Sequence, residues 1–417
     1  MSDANKRPTL RALDWLNFLL ADVQGGVGPF LAIYLWSSQH WDAGRIGLIM
    51  TIGGIATVAA RAPTGALVDN TIFKRGLIVG CASLVAGGAM VLSLFPQFWP
   101  AAAAQIAIGA CDAVFPSAIA AISLGIVGRR GFAWRIGRNE AFNHAGNVIA
   151  AIAAGFAGYL ITPGAVLWLV ALLAAASAFA ALAIDPREID HRLARGADRK
   201  CDGKARPSEL LVLLECRPLL IFTAAITLFH FANAAMLPLI GERLARGRGG
   251  DGPLFMAACI ITAQAVMVPM AILAGAKADT FGRKPLFLVG FAVLPVRGVL
   301  FTLWNNPYYL ISVQLLDGVG AGIFGALFFI VVADLTKGTG HYNLALGAAG
   351  AAWGTGAALS NFAAGFIVDA AGFDAAFLFL AAIALLAFLL FWLFVPETRG
   401  RLPRAGSESG YQQPSLT

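Results

Sequence analysis

Two ten-residue stretches decide the fold of this chain, GALVDNTIFK at residues 65–74 and GAKADTFGRK at residues 275–284. Both place a glycine four residues before an aspartate and a lysine five residues after it: Gly65, Asp69 and Lys74 in the first, and Gly275, Asp279 and Lys284 in the second. The second stretch begins 210 residues after the first, and each follows an apolar run. The chain therefore contains two copies of one unit.

Further matches keep the same register in both copies. Three residues recur 209 positions later, namely Gln105 as Gln314, Gly109 as Gly318 and Phe115 as Phe324. The tetrapeptide AAGF at residues 153–156 recurs at residues 363–366. Because the register extends over several apolar segments, it indicates two structurally similar halves.

The composition is that of a chain embedded in lipid. Hydrophobic residues make up 59% of the 417 residues, charged residues 13%, and the mean hydropathy is +0.75, whereas soluble domains carry about 25% charged residues. A helix needs about 20 apolar residues to cross a membrane, and its backbone must be bonded internally. We therefore predict an all-α membrane protein with twelve transmembrane helices, the predicted spans 1 to 12, near residues 15–36, 46–68, 76–95, 99–127, 141–162, 164–184, 218–240, 253–275, 285–304, 308–334, 344–369 and 374–395.

The predicted spans divide into two sets of six. Residues 1–184 form an N-terminal six-helix half, residues 185–217 a cytoplasmic central linker, residues 218–396 a C-terminal six-helix half and residues 397–417 a cytoplasmic tail. The linker carries charges of both signs and few apolar residues, which is typical of an exposed segment that is at most partly helical. We expect it to act as a tether.

Lysine and arginine residues predict the orientation. With the N-terminus inside, 24 of the 30 basic residues fall on the cytoplasmic side, in agreement with the positive-inside rule. We therefore expect a monomeric multi-pass protein in the lipid bilayer of the plasma (inner) membrane, with both termini cytoplasmic and the first span retained. The net charge of +7 reflects this topology, and a nucleic-acid partner is not expected because no soluble basic face is available.

The sequence contains no pattern that is typical of an enzyme. Its five cysteines are scattered and odd in number, so they predict neither a disulfide frame nor a metal site. A nucleotide-binding loop and a nucleophile with an adjacent base are also missing. We predict no cofactor, no structural metal and no enzymatic activity.

The twelve spans, the linker and the stretch at residues 275–284 resemble the major facilitator superfamily. The loop signature of that family after spans 2 and 8 is G-x-x-x-D-(R/K)-x-G-(R/K)-(R/K). The second stretch, with Gly282, Arg283 and Lys284 in place, departs from it only at Thr280. The first stretch departs from it at three positions, Asn70, Ile72 and Phe73.

The resemblance implies a solute cavity between the two halves, near the middle of the bilayer. It also implies that Asp69 and Asp279 hold the halves together in one conformation. The alternative is a short loop with ordinary positive-inside charge. Span 4 has Gln105 where many members carry an arginine associated with proton coupling, and span 5 lacks the Gly-Pro signature of drug:proton antiporters. Both departures argue against a drug antiporter.

Charged residues inside spans are functional candidates, because a charge at mid-bilayer costs at least about 2.5–3.5 kcal/mol. Asp22 and Gln24 lie near the centre of span 1, and Asp112 lies within span 4. Asp22 is the first candidate for a carboxylate that binds a proton or the solute, and pairing with a neighbouring helix is the alternative. Arg297 in span 9 and Asp317 in span 10 lie at similar depth, which favours an ion pair over direct solute binding.

Amides and histidines mark further candidates. Span 5 carries Glu140, Asn143, His144 and Asn147 at helical spacing i, i+3, i+4 and i+7, so these residues share one face. Span 7 offers His230 and Asn233, and span 11 offers Trp353 and Asn361. Each histidine could instead be a packing residue. A metal site formed by His144, His230 and Asp22 is a weaker alternative, since no local ligand pair supports it.

These features together predict secondary active transport of a small solute. We expect rocker-switch alternating access of the two halves, coupled to protons and with export slightly favoured over uptake. The alternative within transport is an uncoupled facilitator of a small metabolite. A remote alternative is a non-transporting membrane sensor or enzyme.

Overall fold

The computed structural model of the chain describes residues 7–24, 31, 34–35, 38–41, 43–162, 164–196, 216–245 and 252–399. Within these residues the secondary structure is helical, joined by short turns. The N-terminal half contains α1 (Arg7–Gln24), α2 (Ala43–Asn70), α3 (Lys74–Leu94), α4 (Phe98–Asp112), α5 (Val114–Leu160), α6 (Ala165–Leu182) and the one-turn helix α7 (His191–Ala194). The C-terminal half contains α8 (Arg217–Ala234), α9 (Met236–Ala245), α10 (Gly252–Phe281), α11 (Arg283–Leu300), α12 (Pro307–Leu335) and α13 (Tyr342–Phe394).

Two of these helices each contain parts of two predicted spans. The backbone reverses within α5 at Gly128 (φ 66°) and within α13 at Gly372 (φ 85°), where a residue with a side chain would be strained. Spans 4 and 5 therefore meet at Gly128, and spans 11 and 12 meet at Gly372. Eight helical segments of the described part are long and apolar enough to cross a membrane.

Prolines explain why spans 4 and 7 are interrupted. Proline lacks the N–H that would bond to the carbonyl four residues earlier. Pro116 therefore interrupts the helix at Asp112, where α4 ends and α5 begins, and Pro238 interrupts it at Ala234, where α8 ends. Asp112 consequently lies at a helix junction in the middle of a span, where irregular backbone is tolerated if it lines a cavity.

Each half has its own hydrophobic core. One buried cluster is formed by residues between Ala12 and Ala194, and the other extends from Leu219 to Val395. Phenylalanines fill the second core, with Phe229 stacked on Phe324 at 5.4 Å between ring centroids. Five residues of α5 also belong to the second core, namely Ala120, Leu124, Phe132, Ala133 and Ile136.

Glycines bring the two halves into backbone contact at two helix crossings. Where α2 crosses α13, a Cβ on Gly65 would lie 2.2 Å from the carbonyl oxygen of Asn343, and one on Gly347 would lie 2.1 Å from that of Arg61. Where α5 crosses α10, a Cβ on Gly137 would lie 2.5 Å from the carbonyl oxygen of Ala271. Both crossings lie towards the predicted cytoplasmic end.

Exposed residues occur on the same helices towards the opposite end. Along α2, Gly54 has no described atom within 4 Å of its Cβ position and Ile55 is 63% exposed. On α13, Asn361 is exposed. At the other crossing, Ile152 of α5 and Ile261 of α10 are also exposed. The two glycine contacts between the halves therefore lie at the predicted cytoplasmic end.

The start of the linker is more than a tether, and that expectation was wrong for residues 190–196. The N–H of Asp190 donates to Gly125 of α5 at 3.1 Å, and the N–H of Tyr342 donates to Arg195 at 3.3 Å. Arg129 Nη2 donates to the carbonyl oxygen of Gly196 at 2.8 Å. These bonds connect the linker to both halves, while residues 197–215 lie outside the described part.

A buried ion pair fixes α1 against α5. Asp14 accepts hydrogen bonds from the guanidinium groups of Arg135 and Arg138, the latter at 2.7 Å from Nη2. Arg135 is fully buried and also donates from Nε to Asn139 at 2.7 Å. Asn139 in turn donates to Ser123 Oγ at 2.8 Å. The network holds the start of the second part of α5 in place.

We predict that Asp14→Ala destabilises the protein by about 3 kcal/mol or more, because Arg135 would remain buried without its carboxylate. The exposed Arg11→Ala on the same helix is the matched control. Thermal unfolding of the purified protein in detergent measures both. Equal melting temperatures for the two variants would contradict the structural role of Asp14.

Candidate functional site

A cavity of about 420 Å³ lies where the two halves meet. It is enclosed by α1, α2, α4, α5, α8, α12 and α13, so both halves contribute to its wall. Its polar lining consists of Asn17, Arg61, Asp112, Ser117, Asn139, Glu140, Asn143, Asn147, His230 and Trp353. Its size is within the range of small-molecule sites.

The wall from the N-terminal half carries carboxyl and amide groups. Asp112 lies at the junction of α4 and α5, and Glu140 lies on α5 so close to α12 that a Cβ on Gly325 would be 2.9 Å from its Oε2. Asn147 Nδ2 donates to Asn143 Oδ1 at 3.2 Å. Helical spacing places Glu140, Asn143 and Asn147 on one face of α5. This wall offers carboxyl groups together with amides that both donate and accept hydrogen bonds.

The wall from the C-terminal half is aromatic. Trp353 of α13 stacks on His230 of α8 with 4.2 Å between ring centroids, and His230 meets the edge of Phe324 of α12 at 4.5 Å. His230 Nε2 and Trp353 Nε1 are buried and have no hydrogen-bond partner among the described residues. Two polar atoms without partners beside a cavity are suited to contact a bound molecule.

Arg61 is the one basic residue among those lining the cavity. It lies on α2, yet its Nη1 donates to the carbonyl oxygen of Gly350 on α13. Its guanidinium carbon lies 4.3 Å from the ring centroid of Trp353. Asp112 is close enough to interact with it electrostatically. Arg61 therefore connects the charged wall to the aromatic wall.

The cavity includes five of the residues proposed from sequence, namely Asp112, Asn143, Asn147, His230 and Trp353. The side chains of Asp22 and Gln24 lie outside the described part, so their role stays a prediction. Asn361 is exposed and is not part of the lining. His144 bonds through Nδ1 to Gln264 Oε1 at 2.8 Å, which places its ring against α10.

Asp317 and Asn233 also lie apart from the cavity lining. Asp317 forms an ion pair with Arg297, and Arg297 Nη1 donates to Asn233 Oδ1 at 3.0 Å. Arg297 is 1% exposed, so this cluster is part of the interior of the C-terminal half. The structure therefore brings together the proposed ion pair and adds Asn233 as a third member.

The cavity lining also contains two charged residues, Glu140 and Arg61. The sequence places Glu140 on the polar face of span 5, whereas Arg61 is not among the residues singled out from the sequence. The available signal was charge inside an apolar run, which is costly in lipid without a partner or a cavity. That signal applies to Arg61 as strongly as to Asp22.

Asp69 of the first stretch contacts the opposite half. Its Oδ2 accepts from the backbone N–H of Leu344 at 2.9 Å, and its Oδ1 accepts from Asn343 Nδ2 at 2.7 Å. These donors belong to the first turn of α13, where free N–H groups and the helix dipole favour an anion. Burial raises the pKa of Asp69 to about 6, although the donors on Leu344 and Asn343 act against the shift.

Other residues of the first stretch support this contact. Gly65 allows α2 to approach the backbone of Asn343. Lys74 Nζ donates to the carbonyl oxygen of Thr71 at 2.6 Å and thereby closes the turn after α2. The departures from the family signature at residues 70, 72 and 73 therefore do not prevent the aspartate from reaching the other half.

Asp279 of the second stretch, unlike Asp69, is paired within its own half in this structure, and its role in holding the halves together stays a prediction. Its side chain is 50% exposed and forms an ion pair with Arg283 at 2.7 Å, within its own half. Arg283 also bonds to Asp334 at 3.1 Å. The intact arginine of this copy supplies a local partner, whereas the first copy has Phe73 in its place.

The second stretch is held instead by the segment after α13. Glu397 accepts from the backbone N–H groups of Arg283 and Lys284, each at 3.0 Å, and so caps α11. Burial alone would raise the pKa of Glu397, but its backbone N–H donors lower it below the ordinary value. Gly282 (φ 95°) forms the turn that exposes these donors. Gly275 packs on Gly137 of α5.

Among the described residues no group of three or more His, Cys, Asp or Glu side chains is arranged to hold a metal ion. His230 stacks on Trp353 and makes a perpendicular ring contact with Phe324, and His144 is bonded to Gln264. The cavity chemistry therefore rests on charged, amide and aromatic groups.

Two helical bundles with a polar cavity between them define a membrane protein of the transporter type. The chain belongs to the Major Facilitator Superfamily, whose sequence profile matches residues 15–275 and 252–416. It is 53% identical over 389 residues to an uncharacterized MFS-type transporter of Mycobacterium tuberculosis, and the alignment covers 93% of each chain. It is not an enzyme.

Two further comparisons concern parts of the sequence and the fold. A multi-drug resistance efflux pump of Streptococcus pneumoniae, PmrA, is 29% identical over 164 residues, 39% of this chain and 40% of PmrA. The proton:xylose symporter XylE is similar in structure, with a TM-score of 0.71, 16% identity and coverage of 96% of this chain and 98% of XylE. These findings confirm the predicted all-α fold with twelve transmembrane helices in two six-helix halves.

We predict that Asp69→Ala loosens the predicted cytoplasmic end, because α13 loses its charged cap from the other half. Hydrogen bonds to a charged group contribute about 1.5–3 kcal/mol, so their loss should make opening of this end roughly tenfold more frequent or more. The probe is Leu346→Cys, at a position that is buried at the cavity, and its reaction with maleimide should be faster by the same factor than without Asp69→Ala. Labelling is measured with the five native cysteines replaced.

Asp279→Ala is the control matched by the sequence repeat. It removes an exposed ion pair within one half, so the labelling rate at position 346 should remain unchanged. A larger effect of Asp279→Ala than of Asp69→Ala would reverse the assignment of the two aspartates.

Proposed function

We propose that this protein is a proton-coupled secondary transporter that exports a small organic cation by alternating access. The observation that carries the proposal is Glu140, a carboxyl group that lines the cavity without an ion pair or hydrogen bond to any described residue. Asp112, by contrast, has Arg61 within electrostatic range. One carboxyl group of the cavity therefore has no balancing charge.

An uncompensated carboxylate at this depth is unfavourable, so Glu140 must bind either a proton or a cation. A proton and a cationic solute cannot both neutralise the same carboxylate. Competition between them couples solute release on one side to proton uptake on that side. Export follows if the outward-facing cavity exchanges the solute for a proton.

The opposite wall favours an organic cation with a flat apolar part. Faces of tryptophan and phenylalanine attract cations, and buried rings favour planar apolar groups. Trp353 and Phe324 both contact His230 and line the cavity, and Trp353 already lies beneath the guanidinium cation of Arg61. The name of PmrA, a multi-drug resistance efflux pump, supports the direction of export.

The arrangement of the halves supports an outward-facing state. Close packing at Gly65 and Gly137 closes the predicted cytoplasmic end, and exposed residues such as Ile55 and Asn361 mark the separated outer end. In this proposal, residues 1–184 and 218–396 are the two moving halves of a monomer in the plasma membrane. Both termini are then cytoplasmic, as basic residues predict.

An uncoupled facilitator is the second candidate function. It is favoured by Gln105, a buried amide at the position where proton-coupled relatives often carry arginine. In this alternative, Glu140 remains protonated and serves as a hydrogen-bond donor. The two candidates differ in their response to a pH gradient.

We predict that wild-type protein in liposomes moves ethidium, a planar organic cation, against its gradient when a pH gradient is imposed. Glu140→Gln should reduce this driven movement roughly tenfold or more, because a neutral amide cannot exchange a proton. Binding of ethidium should weaken as well, since the carboxylate is lost.

Asp374→Asn is the control, since its side chain is 59% exposed and pairs with Arg243 away from the cavity. If the wild-type protein moves ethidium equally well with and without the pH gradient, the protein is a facilitator. If ethidium and other organic cations are not moved while anionic solutes are, the cation assignment is wrong.

A further inference from the structure

Arg61 lies near polar or aromatic groups of both halves of the protein, and it contacts only one of these two sets. One set is on α13, where Gly350 accepts its hydrogen bond and Trp353 lies beneath its guanidinium. The other is Asp112, which lies in the same half as Arg61 and faces the same cavity. Although both side chains are described, no ion pair within 4.0 Å joins them, so the structure shows Arg61 with the first set.

Glycines of α13 create the space that the arginine occupies. A Cβ on Gly354 would lie 2.8 Å from Arg61 Nη1, and a Cβ on Gly350 would lie 3.4 Å from its Cδ. At Gly347 the helices are in backbone contact. The guanidinium therefore fits on α13 only while the two helices cross this closely.

When α13 moves away from α2, Arg61 loses both the carbonyl and the ring. A guanidinium without a partner at this depth is unfavourable. Asp112 lies in the same half, lines the same cavity and already interacts electrostatically with Arg61, so it is the available charge of opposite sign. The long, flexible arginine side chain can turn towards it while α2 and α4 stay packed, as they are where Gly109 contacts Gly53.

We propose that Arg61 exchanges partners during transport, from Gly350 and Trp353 when the cytoplasmic end is closed to Asp112 when it is open. Arg61 is thus a positioning residue that links the charge of the cavity to the separation of the halves. A cation bound at Asp112 weakens the attraction between Asp112 and Arg61. Arg61 then stays with Gly350 and Trp353, and this stabilises the closed cytoplasmic end.

The experiment measures distances between spin labels at positions 72 and 281, in a background without native cysteines. Ile72 and Phe281 are exposed and lie at the predicted cytoplasmic end, one in each half. Full-length protein in lipid nanodiscs is used without solute, so the result does not depend on transport. Each variant is made both in the wild-type protein and in Asp69→Ala. Distances can then be seen to lengthen in the first and to shorten in the second.

Arg61→Gln and Gly354→Ala should each increase the ratio of long to short distances roughly tenfold. Gly354→Ala displaces the guanidinium without altering the arginine, and it covers the case in which Arg61→Gln does not fold. Gly365→Ala on the same helix is the matched control, because no atom lies within 4 Å of its Cβ position. It should leave the ratio unchanged.

Asp112→Asn should have the opposite effect and favour short distances, since the second partner of Arg61 is neutralised. The double variant Arg61→Gln/Asp112→Asn should behave like Arg61→Gln alone. Two results would overturn the proposal: distances that do not respond to Arg61→Gln or Gly354→Ala, or an Asp112→Asn variant that opens the cytoplasmic end.

Discussion

The bond between Asp69 and the first turn of α13 is the interaction on which the rest of the structure depends. It connects a carboxylate of one half to the backbone of the other, across 275 positions from Asp69 to Leu344. The free N–H groups of a helix start need an acceptor, and a buried carboxylate needs donors. Each side satisfies the other only when the halves are together. The crossing of α2 and α13, the position of Arg61 and the closed end of the cavity all follow from that contact.

The aspartates of the two copies of the repeated stretch have different partners, one within its own half and one in the opposite half. In the second copy, Arg283 satisfies Asp279 locally, and Glu397 satisfies the start of α11. In the first copy, Phe73 cannot pair with Asp69, so the carboxylate is available to the other half. In this copy the carboxylate bonds to the first turn of α13 instead. The copy that departs further from the family signature is thus the one that contacts the other half.

Local pattern predicted much of the fold and part of the site. Hydropathy located the spans, and the register of Gln105 and Gln314 revealed the two halves. Charge inside apolar runs found Asp112. The sequence did not reveal the partner of Arg61, because that partner is a backbone carbonyl 289 residues away, and a carbonyl leaves no mark on residue type. His144 was placed with Asn143 because helical spacing defines a face broader than the cavity, and Gln264 of another helix decides which way its ring points.

The glycine crossings have a consequence for how the protein changes state. Dispersion attraction between atoms in contact falls steeply once a gap of about 1 Å opens. Where Gly65 and Gly347 bring two backbones together, a small separation therefore loses nearly the whole of that backbone contact. Such an interface has a joined state and a separated state with little between them. Partly opened forms, through which ions could leak across the membrane, are thereby kept rare.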